Sequence, residues 1–459
     1  MANGLGFVRS NRSLKTLLRF LSLAAAFSIA APAQHIPAPA ASTPPPPKAR
    51  TLSDRFPERP SRPPAITIPV DPLGFVAPGA YFLGSRNSLA SLDFLGEDRL
   101  LFTFRVPGLL HRDLLNGEDS DERRIRALVL SLPQGAIEAE AAWTVHDRTR
   151  YLWALNNGRF LLRDRNNLFE GDASLKLKPL LDFPGSLLWI EFDPAQKFLV
   201  TNSREPVAKS AASGAPQALN PSTAAASVTT DQDSTAPDVP PDLVVRILRR
   251  DTGQVMLVSR VRAAVHLPIN SQGYVENLRV DGPNWLLNLG YFTGGSRLLG
   301  HVQSTCEPVD DFLTENVILA SACGPTGEST LVALTTAGQT LWITRAPLTE
   351  VWPLHTIAAN GSRLAWETLD TSHPVDSLEP IQGGDIKGQS VTILDAATGD
   401  IALVSPVSPI LDAGGNVAIS PSGRRVALLN AGAIQIFDLP PPAPLPTAAD
   451  SAPISPPTP

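Results

Sequence analysis

What most restricts this chain is the recurrence of one short unit. Through 67–204 and 241–439, runs rich in Leu, Val, Ile and Phe alternate with Gly, Asn and Asp turns; Arg99-Leu-Leu-Phe-Thr-Phe-Arg105, Leu243-Val-Val-Arg-Ile-Leu248 and Val391-Thr-Ile-Leu394 are examples. Runs this short, punctuated this often, read as β-strands. Neither block holds a convincing amphipathic helix of about twelve residues or more. The stretch Val255 to Ala264 fits a helical period, but the Thr252-Gly253 turn before it suits a hairpin better. A sheet of four short strands has two apolar faces and cannot cover both alone. Such units gain stability by stacking side by side, and closing the stack into a ring leaves only short, protected edges.

The clearest copy of the unit is Val417-Ala-Ile-Ser-Pro-Ser-Gly-Arg-Arg-Val-Ala-Leu-Leu429, followed by Ala433-Ile-Gln-Ile-Phe-Asp-Leu439. It resembles the WD40-like propeller blade: a Ser-Pro-x-Gly turn, a strand, and a strand closing on aromatic-Asp. Phe437-Asp438 stands where that family has Trp-Asp, and the family's Gly-His pair is absent. Looser copies pair Leu95 to Phe104 with Arg124 to Leu130, and Arg150 to Leu155 with Arg159 to Arg163. Others pair Phe192 to Val200 with Val244 to Gly253, and Asn284 to Tyr291 with Arg297 to Val302. Two more pair Val317 to Ala322 with Leu331 to Trp342, and Ala359 to Trp366 with Ser390 to Gly399. The resemblance is to a degenerate, exported bacterial type and covers 67–439. It implies an all-β fold, a single β-propeller of about seven four-stranded blades spaced by ~40–45 residues. The last unit ends at Leu439, and Ala80 to Gly84 is expected to supply its missing outer strand. A pair of β-sandwich domains split at 205–240 is the rival architecture, and six or eight blades also fit.

The remaining segments are of other kinds. Residues 1–33 read as a signal peptide: Arg9, Arg12, Lys15 and Arg19 precede the apolar run Phe20 to Ala31, and Ala31-Pro32-Ala33 gives a small-x-small cleavage site. That run of ~12 residues is shorter than the ~20 a spanning helix needs, although an uncleaved anchor is the other reading. Residues 34–66 form a Pro-rich spacer, 205–240 a Ser/Ala/Thr/Pro insertion and 440–459 a Pro-rich tail; all three are expected to be disordered, because they carry too little apolar surface to fold. The whole chain has a net charge of −6, and removing a basic leader makes it more acidic still. That excludes a nucleic-acid partner and docking on anionic lipid, both of which need clustered Lys and Arg. The expected location is periplasmic or extracellular. The only cysteines, Cys306 and Cys323, flank a hairpin turning at 314–316 and are expected to form a disulfide, with two buried thiols as the alternative.

No catalytic, cofactor or metal constellation stands out. His35, His111, His146, His266, His301, His355 and His373 form no ligand spacing. The acidic run Glu118 to Glu122 lacks the calcium-loop pattern and reads as a solvated hairpin loop, and Asp310-Asp311 reads as a polar turn flank. Gly290 to Gly300 lacks a following helix and reads as a turn between strands rather than a dinucleotide site. The tryptophans, Trp143, Trp153, Trp189, Trp285, Trp342, Trp352 and Trp366, are spread one or two per unit, as blade packing requires. The expectation is therefore a non-enzymatic module without cofactor or metal, binding another envelope or extracellular protein. The alternative is a hydrolase or lyase acting on carbohydrate or peptide at the central channel. Carboxylates, or a His–carboxylate set, converging at the channel within ~3–9 Å with perturbed pKa values would favour the enzyme; scattered polar or apolar groups would favour docking.

Overall fold

The computed structural model describes residues 50–51, 62–79, 83–107, 111–112, 121–205, 243–375, 381 and 383–446. The expected signal peptide, most of the expected spacer, the expected insertion apart from Glu205, and the expected tail beyond 446 lie outside them. Among the described residues the protein is all-β, a propeller of seven sheets in chain order. Each unit inferred from the sequence corresponds to one blade. Blade 1 comprises Ala90–Phe94, Arg99–Arg105, Asp121–Ser131 and Ala136–Val145. Blade 2 comprises Leu152–Leu155, Arg159–Asp164, Asn167–Asp172 and Lys178–Asp182. Blade 3 comprises Ser186–Phe192, Phe198–Arg204, Leu243–Arg249 and Val255–Val261, so its second and third strands pair across the insertion. Blade 4 has the ladder strands Gly273–Asp281, Asn284–Tyr291 and Ser296–Gln303. Its innermost place is taken by residues 265–270, held to the ladder by the isolated bridge Ile269–Tyr274 and the bond from Val275 N–H to Pro268 O. Blade 5 comprises Val309–Thr314, Val317–Cys323, Ser329–Thr335 and Thr340–Arg345. Blade 6 comprises Glu350–Ile357, Arg363–Thr371, Ile386–Asp395 and Ile401–Val407.

Blade 7 closes the ring. Its inner strands Val417–Ile419, Arg425–Asn430 and Ala433–Asp438 come from the end of the chain, and Ile66–Pro69 adds the outer one. The closing strand is therefore not 80–84, whose described part, Leu83 and Gly84, lies in a turn. Thr-Ile-Pro at 67–69 carries no strand signal of its own because it sits at the end of a Pro-rich run. Proline is tolerated there because the strand is an edge, with an N–H side that faces no partner. Within the expected spacer, Arg50–Thr51 pairs in parallel with the outer strand of blade 5. The first residues of the expected tail are bonded as well: Asp395 accepts from Ala443 N–H at 2.8 Å, and Arg363 donates to Pro440 O. Cys306 and Cys323 are joined across the entry to blade 5, with Cα atoms 5.5 Å apart.

Seven buried apolar clusters hold the ring, one at each seam between neighbouring blades. Strand alternation produces them: in Arg363–Thr371, Leu364 and Trp366 face blade 5 while Ala365 faces blade 7. The seam between blades 7 and 1 has the longest set, with Phe75, Phe102 and Phe104 mutually in contact at 5.0–5.5 Å between centroids. The seam between blades 3 and 4 has only Val200, Val245, Ile247 and Ile269 fully buried. In blades 2, 6 and 7 the turn after the innermost strand lies against the preceding blade at a glycine. Gly361 has φ +71°, and a Cβ on it would stand 2.1 Å from Leu313 O; Gly158 has φ +71° and faces Leu95 O, and Gly423 has φ +70° and faces the Ser362 hydroxyl. That is the physical content of the Ser-Pro-x-Gly motif. Replacing Gly361 with Ala adds both a left-handed strain and a clash with backbone, and is expected to cost about 2–3 kcal/mol or more, read as a lowered midpoint in chemical denaturation.

Candidate functional site

The innermost strands surround the axis of the ring, and alternation sends their side chains in turn to the two seams beside each blade. In Ala90–Phe94 the buried Ala90, Leu92 and Phe94 enter the seam, leaving Ser91 and Asp93 on the other face. Asp93 accepts from Ser91 Oγ at 2.5 Å; burial pushes its carboxyl up to about 6, against that bond and the charge of Arg150. Arg150 lies over the ring of Trp153 at 5.5 Å and donates to Leu152 O.

The densest polar cluster spans blades 3, 4 and 5. His266, in the inner segment of blade 4, meets Glu191 Oε1 of blade 3 through Nδ1 at 2.5 Å, and Asp310 O of blade 5 through Nε2. Both partners only accept, so both ring nitrogens carry hydrogen and the imidazole is a cation. Its pKa reflects the same arrangement. Burial would lower it, but the bond and charge of Glu191, the charge of Asp311 and the Asp310 carbonyl together raise it to about 10. Glu191 is fully engaged: Oε1 also accepts the indole N–H of Trp189, and Oε2 accepts Leu267 N–H at 3.0 Å. Asp311 Oδ1 stands 4.0 Å from His266 Nε2, with its side chain 36 % exposed. Burial pushes Asp311 up to about 6, His266 opposing and Glu191 adding to the rise. Asp310 is 1 % exposed, and burial pushes it up to about 7. The Asn277 side chain opposes that rise, although by geometry neither Asp310 oxygen has a hydrogen-bond partner among the described residues.

This cluster does the work of the missing ladder in blade 4. Asn202 of blade 3 bonds Val265 through both its amide atoms, each at 3.0 Å. Glu315 of blade 5 accepts from Ser271 N–H at 2.9 Å and from Ser271 Oγ at 2.6 Å, and Asn270 Nδ2 donates to Glu315 O. Side chains of two neighbours thus hold the innermost segment of blade 4, at the seam with the thinnest apolar packing.

The sequence reading placed none of these residues in a site. Asp310-Asp311 is not a turn flank; it lies within the innermost strand of blade 5, because the strand runs from Val309 and keeps its alternation through Phe312 and Leu313. Two acids inside an apolar strand were the available signal. Trp143, Trp153, Trp342 and Trp366 pack in seams and Trp285 is buried under Arg279 with its N–H on Ser304 O, whereas Trp189 is 50 % exposed and Trp352 half-buried, both on innermost strands. The other described histidines sit apart: His146 on Asp164, His355 beside Ser321, His373 near Asp385. His355 is pushed down to about 4 by burial. Among the described residues no three His, Cys, Asp or Glu groups are placed to hold a metal. A doubly donating imidazolium has no lone pair to offer one. No helix among the described residues is long and apolar enough to cross a membrane.

No family model and no curated protein matches the chain. Solved propellers resemble it in fold. Pyrococcus horikoshii acylaminoacyl peptidase is 9 % identical with a TM-score of 0.42, covering 74 % of this chain and 49 % of that one. Chaetomium thermophilum Sqt1, bound to the N-terminus of the ribosomal protein L10, is 10 % identical with a TM-score of 0.40, covering 77 % and 98 %. The β-propeller domain of the Trilobed protease from Pyrococcus furiosus is 11 % identical with a TM-score of 0.40, covering 77 % and 94 %. The chain spans about half the length of the acylaminoacyl peptidase chains it matches. Identities this low concern the fold and not the function.

The staple has a pH signature. A histidine raised from 6.5 to about 10 binds its proton more tightly in the folded state, so its stabilisation is complete below pH 6.5 and lost as pH rises through about 10. Glu191→Gln is expected to cost about 3 kcal/mol, the low end for breaking a buried pair, since the His266 side chain is 27 % exposed. It is also expected to flatten the fall in melting temperature between pH 6.5 and 10. Melting curves across that range check both.

Proposed function

We propose that this protein is a non-enzymatic, exported protein-binding module of the cell envelope, docking another envelope or extracellular protein at the channel rim around Trp189. The observation that carries the reading is the pairing of an exposed indole with a consumed acid–base set. Trp189 presents half its surface on an innermost strand, with its N–H already bonded to Glu191. Val309 is also exposed, on the innermost strand two blades further round. A rigid, half-exposed Trp is the kind of group that anchors protein interfaces. The His–carboxylate set beside it has the convergence expected of an enzyme, but not the available groups. His266 is held as a cation far above neutrality, and both oxygens of Glu191 accept bonds. A general base near pH 7 needs a free lone pair and a pKa close to that value. The disulfide supports an oxidising compartment, and the basic, apolar and small-residue order of 1–33 supports export.

One observation favours a second reading, a hydrolase or lyase acting on carbohydrate or peptide. Asp311 is partly exposed, raised to about 6, and its bonds are not all spent on the staple. The two readings separate in one experiment. Tagged protein lacking 1–33 is expected to retain a stoichiometric partner from envelope extract, and Trp189→Ala, melting like the parent, is expected to lose it. A partner indifferent to Trp189→Ala, or no partner, counts against docking. Turnover of a glycan or peptide library abolished by Asp311→Asn would establish the enzyme instead.

A further inference from the structure

A second polar cluster lies inside the seam between blades 6 and 7, away from the staple. Glu367, on Arg363–Thr371, is 2 % exposed. It directly faces Leu354 and Val391 on the neighbouring strands, and Gln389 and Asn416 reach it from the next strand and from the connector 408–416. Burial opposes its ionisation. Asp412, in the same connector, is instead engaged with Arg86 N–H at 3.0 Å.

The hydrogen bonds decide the state of the carboxyl. Leu411 fixes the Gln389 amide from both ends: its N–H donates to Oε1 at 2.8 Å, and its carbonyl accepts from Nε2 at 3.0 Å. Nε2 also donates to Glu367 Oε1 at 2.5 Å. Gln389 Oε1 then requires a donor from Asn416, which supplies Nδ2 at 2.9 Å. That leaves Asn416 Oδ1 facing the carboxyl, 3.0 and 3.1 Å from its two oxygens. Turning the Asn416 amide would only move the conflict, setting its oxygen against Gln389 Oε1. Two acceptors in contact inside a seam need a proton between them, and the carboxyl is the only group there that can carry one.

We propose that Glu367 is a neutral carboxylic acid donating to Asn416, that this proton latches the connector 408–416 to blade 6, and that alkaline conditions release the latch and loosen the channel mouth. The connector has the reach for this. Asp412 in it holds the Arg86 backbone at the entry to blade 1, and the Arg86 guanidinium lies 5.0 Å over the ring of Trp352 on the innermost strand of blade 6. Gly415 packs so closely on Ala90 O that a Cβ would stand 2.1 Å from it. Loss of the proton sets a buried anion against Asn416 Oδ1 and pushes this segment outward, at the point where blades 6, 7 and 1 meet. The titration has the matching sign: burial raises Glu367 from 4.5 to about 8, so its stabilisation is complete below pH 4.5 and gone above about 8.

Glu367→Gln tests this, because its amide keeps one acceptor for Gln389 and one donor for Asn416 without titrating. The wild type is expected to show a protonated carboxylic-acid band in the infrared at pH 6 that the variant lacks. Its melting temperature is expected to fall about 2 °C per pH unit more steeply than that of Glu367→Gln between pH 5 and 8. At pH 9 the Leu411 amide is expected to exchange roughly tenfold faster in the wild type than in the variant, a ratio that cancels the intrinsic base catalysis of exchange. An ionised Glu367 at pH 6, or equal pH slopes and equal Leu411 exchange, would overturn the proposal. Other raised carboxyls, Asp310 among them, also hold protons near pH 6, so the band is assigned by its loss in the variant. Should Glu367→Gln fail to fold, Leu411 exchange in the wild type decides the question, a rise from pH 6 to pH 9 no greater than intrinsic base catalysis overturning the proposal.

Discussion

Every blade of this protein has two apolar faces and only its neighbours to cover them. Four short strands bury little by themselves, and an isolated blade would leave Leu364 and Trp366 on one face and Ala365 and Val391 on the other in water. Stability is therefore a property of the seams, and each seam is needed because the ring is closed. The heaviest apolar seam is the one formed last along the chain, where Ile66–Pro69 completes blade 7 and Phe75, Phe102 and Phe104 fill the junction with blade 1. There the chain must join its two ends, and closing a loop that spans most of the sequence carries the largest entropic cost. Concentrated aromatic burial offsets it.

The seam between blades 3 and 4 shows the opposite solution. Few residues are fully buried there, and the innermost segment of blade 4 leaves its ladder after one bridge. Directional bonds replace packing: Asn202 on Val265, Glu191 on Leu267 and His266, Glu315 on Ser271. Such a set is worth little if incomplete, since a buried charge without its partner costs more than the pair gains. Its value is specificity, because it holds 265–270 at one height and one register where an apolar surface would let it slide.

The ring was legible in the sequence for a definite reason. Turn chemistry repeats, and Ser-Pro-Ser-Gly423 and Ala-Asn-Gly361 mark the same place in two blades, where the next side chain would strike the preceding blade. An unbroken buried run within Arg99–Arg105 or Ile386–Asp395 marks a strand covered on both faces. The closing strand was not legible, because four residues beside a Pro-rich run carry no period. Nor was the staple. Glu191, His266 and Asp310 are separated by most of three blades, and only the tertiary ring brings them together; what the sequence held was two acids in an apolar strand. Glu367 is similar. It sits at a position where alternation calls for an apolar residue, and what makes it tolerable is Gln389 in the next strand and Asn416 in the next blade.

Polar groups at the centre of a propeller thus have a cause that precedes any function. The innermost strands crowd toward one axis, and polar side chains there such as His266 and Asp311, 27 % and 36 % exposed, are only partly wet. They are too enclosed for free charges and too exposed to be covered by apolar packing. Acids, amides and imidazoles bonded to one another satisfy both conditions, and burial then shifts their pKa values whether or not they act on a substrate. Convergence and perturbed pKa alone therefore do not distinguish a reactive centre from a structural one in this fold. What distinguishes them is whether any lone pair or proton is left uncommitted. By that measure His266 and Glu191 belong to the frame, Asp311 stands at its border, and the exposed face of Trp189 is surface that the frame leaves free.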